Sequence, residues 1–322
     1  MARARARAYA FLSDVVARGI HAGNLEEARS WPELGDVLES EPDFDGWAVR
    51  HERALGRNLF PFEAVFLDPE AQPGGVASRR VQDTLSRIGY PWDPKGPSPD
   101  HLSVELAALG FVSASEAFAT EDGDAQPAER SRSAARDLLG DHVLTWLLPF
   151  AEAVEEHGDP LFLRVMELVQ ALLVDHARHV GVDGSRLGRP PFEGGPDLSQ
   201  LIEDPATDLG RIIDHILTPS ASGVFWSVDR IVRLGRGRKL PGGFGTRRQR
   251  LRTLLATAAD HDRVDVVVAD LRCELDAAAG RLKARSEAEP EPLGAAAQPW
   301  LERLGATVEG LDRVARVLVD TR

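Results

Sequence analysis

An acid, an imidazole and a second acid lie within six residues of one another, at Asp100, His101 and Glu105. In a helix, His101 and Glu105 would share a face because they are four residues apart. Carboxylates grouped in this way can accept charge-assisted hydrogen bonds from a cationic ligand. They can equally cap the start of the helix and form a local salt bridge, which is the commoner use of such residues.

The element that must position these side chains is predicted to be a helix that starts near Ser98 and runs to Phe118. Ser98 is a suitable cap, Pro99 suits the first turn, and Asp100 complements the positive end of the helix dipole. Three prolines in the preceding stretch 91–97 forbid regular structure there. Because the helix is apolar almost all round, we expect it to be central and buried.

Two stretches carry a resemblance to a known family. The run NLFPFEAVFLD at 58–68, followed about thirty residues later by PDHLSVEL at 99–106, resembles the TorD/DmsD/NarJ family of molybdoenzyme-specific chaperones. That family has a P-Y-E-S-like turn and then an acidic-proline-D-H motif that opens a helix. This chain departs from the pattern with Phe62 and Ala64 in place of Tyr and Ser, and with Gly96 or Pro97 in place of the leading Glu.

The resemblance extends more weakly over about residues 5–260. His142, Trp146 and Pro149 are similar to a His and a Trp-x-x-Pro in the family's second half. The turns T-P-x-x-S-G at 218–223 and P-x-G-F-G at 241–245 look like those of longer members. The match is best between residues 55 and 118.

The resemblance implies a cytoplasmic chaperone and not an enzyme. Its partner would be the catalytic subunit of a molybdenum-dependent oxidoreductase, often bound through its twin-arginine signal peptide and held until the cofactor is inserted. Such a peptide offers arginines followed by an apolar segment, so its receptor needs carboxylates beside a hydrophobic groove. The residues expected to contact the client are Phe62, Glu63, Phe66, Trp92, Asp100, His101, Glu105, Trp146 and Phe150.

Composition is that of an ordinary globular protein, with 43% hydrophobic and 28% charged residues in 322. The one cysteine, Cys273, excludes a disulfide framework and a cysteine-rich metal site within one chain. Apolar runs such as 143–151 are too short to span a membrane. His176 and His179 are suitably spaced for a metal, but no further ligand is evident, so neither a metal nor a cofactor is predicted.

Charge is distributed unevenly along the chain. The net charge is −13, and the acidic excess lies wholly in residues 1–200. A basic cluster at 230–252 is the best case for nucleic-acid binding, but the acidic remainder and the scarcity of interleaved aromatic residues argue against it. The glycine-rich turn at 241–245 could cradle an anion, although it is not a Walker motif.

The pattern as a whole predicts an all-α, two-lobed helical bundle with a C-terminal extension. We expect an N-terminal lobe over 1–120, a mobile hinge at 120–132, a C-terminal lobe over 133–285, and a linker with a terminal helix over 286–322. Only Glu63 to Leu67 reads as extended. Helices are predicted at 138–156, kinked by Pro149, and at 160–182.

Several alternatives stay open from the sequence. A helical adaptor or scaffold without an export client is the second interpretation, and an enzyme that uses the Asp100–His101 pair is the third. The sequence does not choose between a monomer and a domain-swapped dimer.

Overall fold

The computed structural model describes residues 1–38, 41–187, 195–288 and 290–320. Helix is the dominant structure in these ranges, which confirms the all-α prediction. The helices of the first half are α1 (Ala2–Arg18), α2 (Leu25–Ser30), α3 (Pro32–Gly35), α4 (Phe44–His51), α5 (Glu63–Leu67), α6 (Gly75–Arg87), α7 (Leu102–Glu121), α8 (Ala125–Leu138), α9 (Leu144–His157) and α10 (Pro160–Val180).

Eight more helices follow. They are α11 (Gly184–Leu187), α12 (Leu198–Glu203), α13 (Leu209–Leu217), α14 (Pro219–Ser222), α15 (Val228–Gly237), α16 (Arg247–Asp260), α17 (Val264–Ala288) and α18 (Ala295–Asp320). Two π-helical segments, Glu52–Leu59 and Leu139–Val143, continue α4 and join α8 to α9. The glycine- and proline-rich loop expected at 181–196 falls partly outside the described residues.

Helix α7 is the central helix, as its composition predicts. Its apolar residues Leu102, Leu106 and Leu109 are completely buried, and α1 packs along it. The two helices approach closely at Gly110, where an added Cβ would lie 3.2 Å from the Cβ of Tyr9. By length and composition α7 could also cross a membrane, but 67% of its most apolar window is buried within the protein, as in a core helix.

The start of α7 differs from the prediction. The helix begins at Leu102 and not near Ser98, and the N-cap residue is His101, whose side chain accepts a hydrogen bond from the Ser103 N–H. Asp100 therefore lies outside the helix. Local sequence could not reveal this shift, because the backbone of Asp100 and Leu102 is engaged by a distant segment.

That distant segment is the one that was expected to be extended. Glu63 to Leu67 forms the short helix α5, and every residue of it is buried. The extended conformation occurs only at its two flanking residues, the N-cap Phe62 and the C-cap Asp68, while Phe60 adopts a left-handed conformation with φ 46°. The prediction of a strand here was wrong because the β-favouring residues Val65 and Phe66 pack into the core as a helix, so tertiary packing overrides their intrinsic preference.

The predicted hinge is also largely helical. Helix α7 continues to Glu121 and α8 starts at Ala125, so only a tight turn at 122–124 separates them, with Gly123 at φ 78°. Pro127 is accommodated near the start of α8, where its missing N–H costs little. One continuous cluster of buried apolar side chains includes residues from both proposed lobes, and the division into two lobes stays a prediction.

Two further boundaries were predicted only in part. The helix expected at 138–156 is interrupted by the π-helical segment before α9, and Pro149 lies inside α9. The linker expected from residue 286 is much shorter, because α17 reaches Ala288 and α18 begins at Ala295 and contains Pro299. The terminal helix itself is present and packs against α17.

Candidate functional site

The two motif segments meet in space through backbone hydrogen bonds. The Glu63 N–H donates to the Asp100 carbonyl over 2.9 Å, and the Leu102 N–H donates to the Pro61 carbonyl, also over 2.9 Å. These two bonds make an isolated antiparallel bridge between Phe62 and His101. The two motif segments of the sequence are thus hydrogen-bonded to each other where α5 and α7 begin.

Asp100 secures this junction with its side chain. Its carboxylate is completely buried and accepts a hydrogen bond from the Ala64 N–H, 3.1 Å away, and another from the Ser98 hydroxyl. Because Ala64 lies in the first turn of α5, Asp100 caps α5 from outside and does not cap its own helix. The sequence predicted that Asp100 caps the start of α7, but its side chain caps α5 instead.

Glu63 belongs to a second buried chain of polar contacts. Its carboxylate lies 3.0 Å from Nδ1 of His142, and Nε2 of His142 lies 2.9 Å from the Thr84 hydroxyl. The π-helical segment Leu139–Val143 presents His142 to both partners, one from α5 and one from α6. The sequence-based site omitted His142 and Thr84. His142 carried a signal in its resemblance motif, whereas Thr84 carried none.

Glu105 is completely buried on the first turn of α7. Within the described ranges, neither of its carboxyl oxygens meets the geometry of a hydrogen bond, and the indole N–H of Trp146 is likewise unpaired. Burial raises the pKa of the Glu105 carboxyl well above its usual value, and the neighbouring carboxylates of Glu63 and Asp100 raise it further. Burial thus favours the protonated, neutral form of Glu105 in the folded protein.

We call the buried carboxyl groups of Glu63, Asp100 and Glu105 the acid cluster. In the part of the chain that the structure describes, no arginine or lysine forms an ion pair with any of them. Burying carboxyl groups without a cation is costly, and proteins commonly respond by protonating one of them. The raised pKa of Glu105 is in line with that response.

His101 lies at the edge of the acid cluster and is partly exposed. Its Nδ1 accepts hydrogen bonds from the Ser103 N–H at 3.2 Å and the Ser103 hydroxyl at 2.7 Å, which leaves the proton of the neutral ring on Nε2. Desolvation, with a smaller contribution from nearby His51, lowers the pKa of His101 to about 4. The ring is thus neutral at physiological pH and packs edge-on against Phe62, with centroids 4.8 Å apart.

The aromatic residues of the predicted site fall into two groups. Phe66, Trp146 and Phe150 are buried in the core, where their rings contact one another at centroid distances of 5.4 to 5.8 Å. The expectation that these three line an open groove is not met in this structure, because the C-terminal part of the chain covers them through Phe225. Phe62 and Trp92 are partly exposed, and Trp92 is held by a hydrogen bond from its indole N–H to the Pro97 carbonyl.

Another buried carboxylate, outside the acid cluster, lies on α9. Glu152 is completely buried and pairs with Arg281, 2.6 Å away, and with Arg230, 3.4 Å away. Arg230 is itself buried, contacts Glu274 at 3.1 Å and stacks on Trp226. We call Glu152, Arg230, Arg281 and Glu274 the arginine cluster, which ties α15 and α17 to α9.

The other sites weighed from the sequence have ordinary structural explanations. Thr246 and Gln249 form a capping box at the glycine-rich turn, and Arg250 donates to the carbonyls of Gly243 and Gly245. His176 accepts or donates a hydrogen bond with Tyr9 at 2.9 Å, and His179 contacts Glu116. Within the described residues, no group of three or more His, Cys, Asp or Glu side chains is arranged to hold a metal ion.

Comparison with known proteins agrees with this geometry. Residues 25–152 match the nitrate reductase delta subunit family, and this range contains the whole acid cluster and the bridge between the two motif segments. Over this part of the chain, the match confirms the resemblance to the molybdoenzyme-specific chaperones.

A particular relative is the selenate reductase assembly chaperone protein of Thauera selenatis. It is 34% identical to this chain over 90 residues, which is 28% of this chain and 45% of the relative. The match therefore spans less than half the length of that curated relative. No solved structure matches the chain significantly.

Proposed function

We propose that the protein is an assembly chaperone, without catalytic activity of its own, for the catalytic subunit of a molybdenum-dependent reductase. The observation that carries the proposal is the position of the family match, which covers the junction of α5 and α7 and the acid cluster behind it. A relative named as a reductase assembly chaperone supports the same conclusion. The chaperone would act in the cytoplasm and hold its client until the molybdenum cofactor is inserted.

The finer proposal is that the acid cluster receives the arginines of the client's signal peptide. Phe62 and His101 are partly exposed and contact each other, and the buried Asp100 precedes His101 in the chain. Trp92 is also partly exposed. Phe60, in its left-handed conformation, begins the segment 60–62 that leads into the N-terminus of α5. A shift of the segment 60–62 would let a guanidinium reach Glu105, Glu63 or Asp100, each of which lacks an ion pair with arginine or lysine in the described structure.

Proton release tests this proposal directly. A cation beside Glu105 favours its charged form, so binding of a twin-arginine peptide near neutral pH should expel a proton from wild-type protein. Isothermal titration calorimetry in buffers of different ionisation enthalpy measures that proton. Glu105→Gln should bind without releasing it.

Affinity provides a second measurement on the same samples. Asp100→Asn and Glu105→Gln should each weaken peptide binding by about 1–3 kcal/mol, the range for a hydrogen bond to a charged group. Glu26→Gln, an exposed change of equal charge on α2, serves as the control. Unchanged affinity in both variants, with only a lowered thermal midpoint, would mean that the acid cluster serves folding alone.

The broader function has its own test in the native host. A pull-down identifies the catalytic subunit, and its molybdenum content is then compared with and without the chaperone. Full molybdenum loading without the chaperone would contradict the proposal. A scaffold, the alternative interpretation, would bind the same partners after their signal peptides are deleted.

A further inference from the structure

Helix α7 presents an exposed phenylalanine, Phe111, at the meeting point of two surface hollows. Phe111 lines a pocket of about 490 Å³ between the end of α6, α7 and α8, and it also lines a shallow groove between α1 and α7. The ring is 37% exposed and is held edge-on by Tyr90 at 5.7 Å. An aromatic side chain fixed in this way is suited to contact an apolar group of a partner.

The floor of the groove is made of small side chains. Ala10, Ala107 and Ala114 line it, and α1 and α7 are in close contact beneath them at Gly110. Such a floor lets the backbone of a partner segment approach closely. Its apolar lining and its openness to solvent favour an amphipathic helix over a compact ligand that needs an enclosed pocket.

The charges around the hollows are unexpected for this protein. Arg87 and Arg130 line the pocket with one aspartate, and Arg7 and Arg18 line the groove with another. In the described ranges, Arg7, Arg87 and Arg130 have no carboxylate within ion-pair distance, although Arg87 donates to the Thr84 hydroxyl. The chain as a whole carries a net charge of −13, so unpaired arginines around an apolar surface define a local exception.

We propose that this surface, consisting of Phe111 and the arginines 7, 87 and 130, binds an acidic amphipathic helix of the client polypeptide. The partner's apolar face lies on Phe111 and the alanine floor, and its carboxylates pair with the three arginines. This inference rests on the proposed function, since it takes the client as the occupant. It assigns the acidic contact to the body of the client, because a twin-arginine signal peptide is cationic and would be repelled here.

A protein partner fits this surface better than a nucleic acid. A nucleic acid needs many phosphate contacts along a basic track, whereas three arginines here surround an apolar floor in an acidic protein. Phe111 also presents a ring that Tyr90 already contacts, within a hollow and not on an open stacking platform.

The first test uses wild-type protein and three labelled peptides in a fluorescence anisotropy titration. One 14-residue peptide has leucines at helical spacing and glutamates elsewhere, the second has lysines in place of the glutamates, and the third has serines in place of the leucines. The proposal expects binding by the first peptide and at least roughly tenfold weaker binding by the other two, because charge and apolar contact are both required. If the serine peptide bound as tightly as the first peptide, or if single-stranded DNA fully displaced the first peptide, the surface would bind anions in general. Either result would overturn the proposal.

The second test uses the protein's own residues. The double variant Arg87→Gln, Arg130→Gln should weaken binding of the acidic peptide by roughly tenfold, the combined effect of two exposed ion pairs at the upper end of their range. Arg79→Gln, an exposed change on the same helix α6 that does not line the pocket, should leave binding unchanged. If the double variant and Arg79→Gln lost the same affinity for the acidic peptide, the peptide would not bind at this surface and the proposal would be wrong.

The result is separable from that of the proposed function. If the acidic peptide fails to bind while the chaperone still raises molybdenum loading of its client, this docking surface is wrong and the chaperone function stands. If the peptide binds as expected but molybdenum loading does not depend on the chaperone, the surface stands and the assigned client is wrong.

Discussion

The acid cluster and the arginine cluster both bury carboxyl groups completely, but they compensate for that burial in different ways. Glu152 in the arginine cluster lies against two guanidinium groups from α15 and α17. Glu105 in the acid cluster has no such partner in the described structure, and burial raises the pKa of its carboxyl well above the usual value. The first arrangement consists of fixed charges, whereas the second can gain a charge when a cation arrives.

This difference separates stability from function. Breaking a buried ion pair strands a charge inside the protein, which is strongly destabilising. A neutral carboxyl loses no charge partner when it is replaced by an amide of the same shape. The ion pairs of the arginine cluster thus hold the later helices α15 and α17 against the family-matched segment, which ends at Glu152. The carboxyl groups of the acid cluster have no arginine or lysine partner in the described structure, so an arriving cation can pair with them without first breaking an ion pair.

The largest effect is expected in the arginine cluster. Glu152→Gln leaves the buried Arg230 beside a neutral amide, so it should reduce the free energy of unfolding by about 3–5 kcal/mol. Urea unfolding monitored by circular dichroism measures this loss. A loss below about 1 kcal/mol would show that the pair behaves like a surface salt bridge, and the contrast between the clusters would disappear.

A smaller loss is expected from the cap in the acid cluster. Asp100→Ala leaves the buried Ala64 N–H without its acceptor, which should cost about 1–3 kcal/mol in unfolding free energy. Asp100→Asn keeps an acceptor oxygen and should cost less. If the two substitutions were equally destabilising, the negative charge of Asp100 and not its hydrogen bond would be what stabilises α5.

Glu105 should make stability depend on pH in a defined direction. Its pKa is raised in the folded state, so the folded protein binds a proton that the unfolded chain loses above a pKa near 4.5. The stability from this proton is complete below that value and is lost as the pH rises toward the folded pKa. Glu105→Gln should remove this slope, with a thermal midpoint close to wild type near pH 4.5 and above it near pH 8.

Melting curves across that pH range provide the measurement, and Glu26→Gln again controls for the loss of an exposed carboxylate. A Glu105→Gln protein that melts below wild type at every pH would show that the carboxyl has a specific partner in the fold. The expected pH dependence from Glu105 would then be wrong.

The smallest effect is expected on the exposed side of α9. Glu155 pairs with Arg285, but its side chain is 39% exposed, so water already stabilises both charges. Glu155→Gln should change the unfolding free energy by only about 0–1 kcal/mol. Measured beside Glu152→Gln, this variant shows how much of the effect on the same helix comes from burial.

Local sequence was sufficient for those features that depend on near neighbours. Helical periodicity predicted the all-α fold and the long helices α7 and α10, because an amphipathic or wholly apolar pattern repeats within a few turns. The motif resemblance placed the family correctly from two short stretches. It also selected Glu63, Asp100 and Glu105 as one group, and the structure brings them together.

The same reasoning failed where distant groups decide the outcome. Local sequence, with prolines at 61 and 69, predicts an extended Glu63 to Leu67, but this segment is a helix whose Ala64 N–H is capped by Asp100 from 36 residues away. The expected hinge at 120–132 became mostly helix because α7 and α8 pack on the same core. Phe66, Trp146 and Phe150 were expected at a groove, yet Phe225 from the later part of the chain helps to bury them.

The sequence by itself determined that this protein is helical, that α7 is its central helix, and that an Asp-His pair with a following Glu lies where that helix begins. Only the tertiary structure decided which helix Asp100 caps, that burial raises the pKa of Glu105, and that Glu152 pairs with two arginines. The reason is that helix formation depends on contacts within a few residues, whereas desolvation and ion pairing depend on which distant segments surround a side chain.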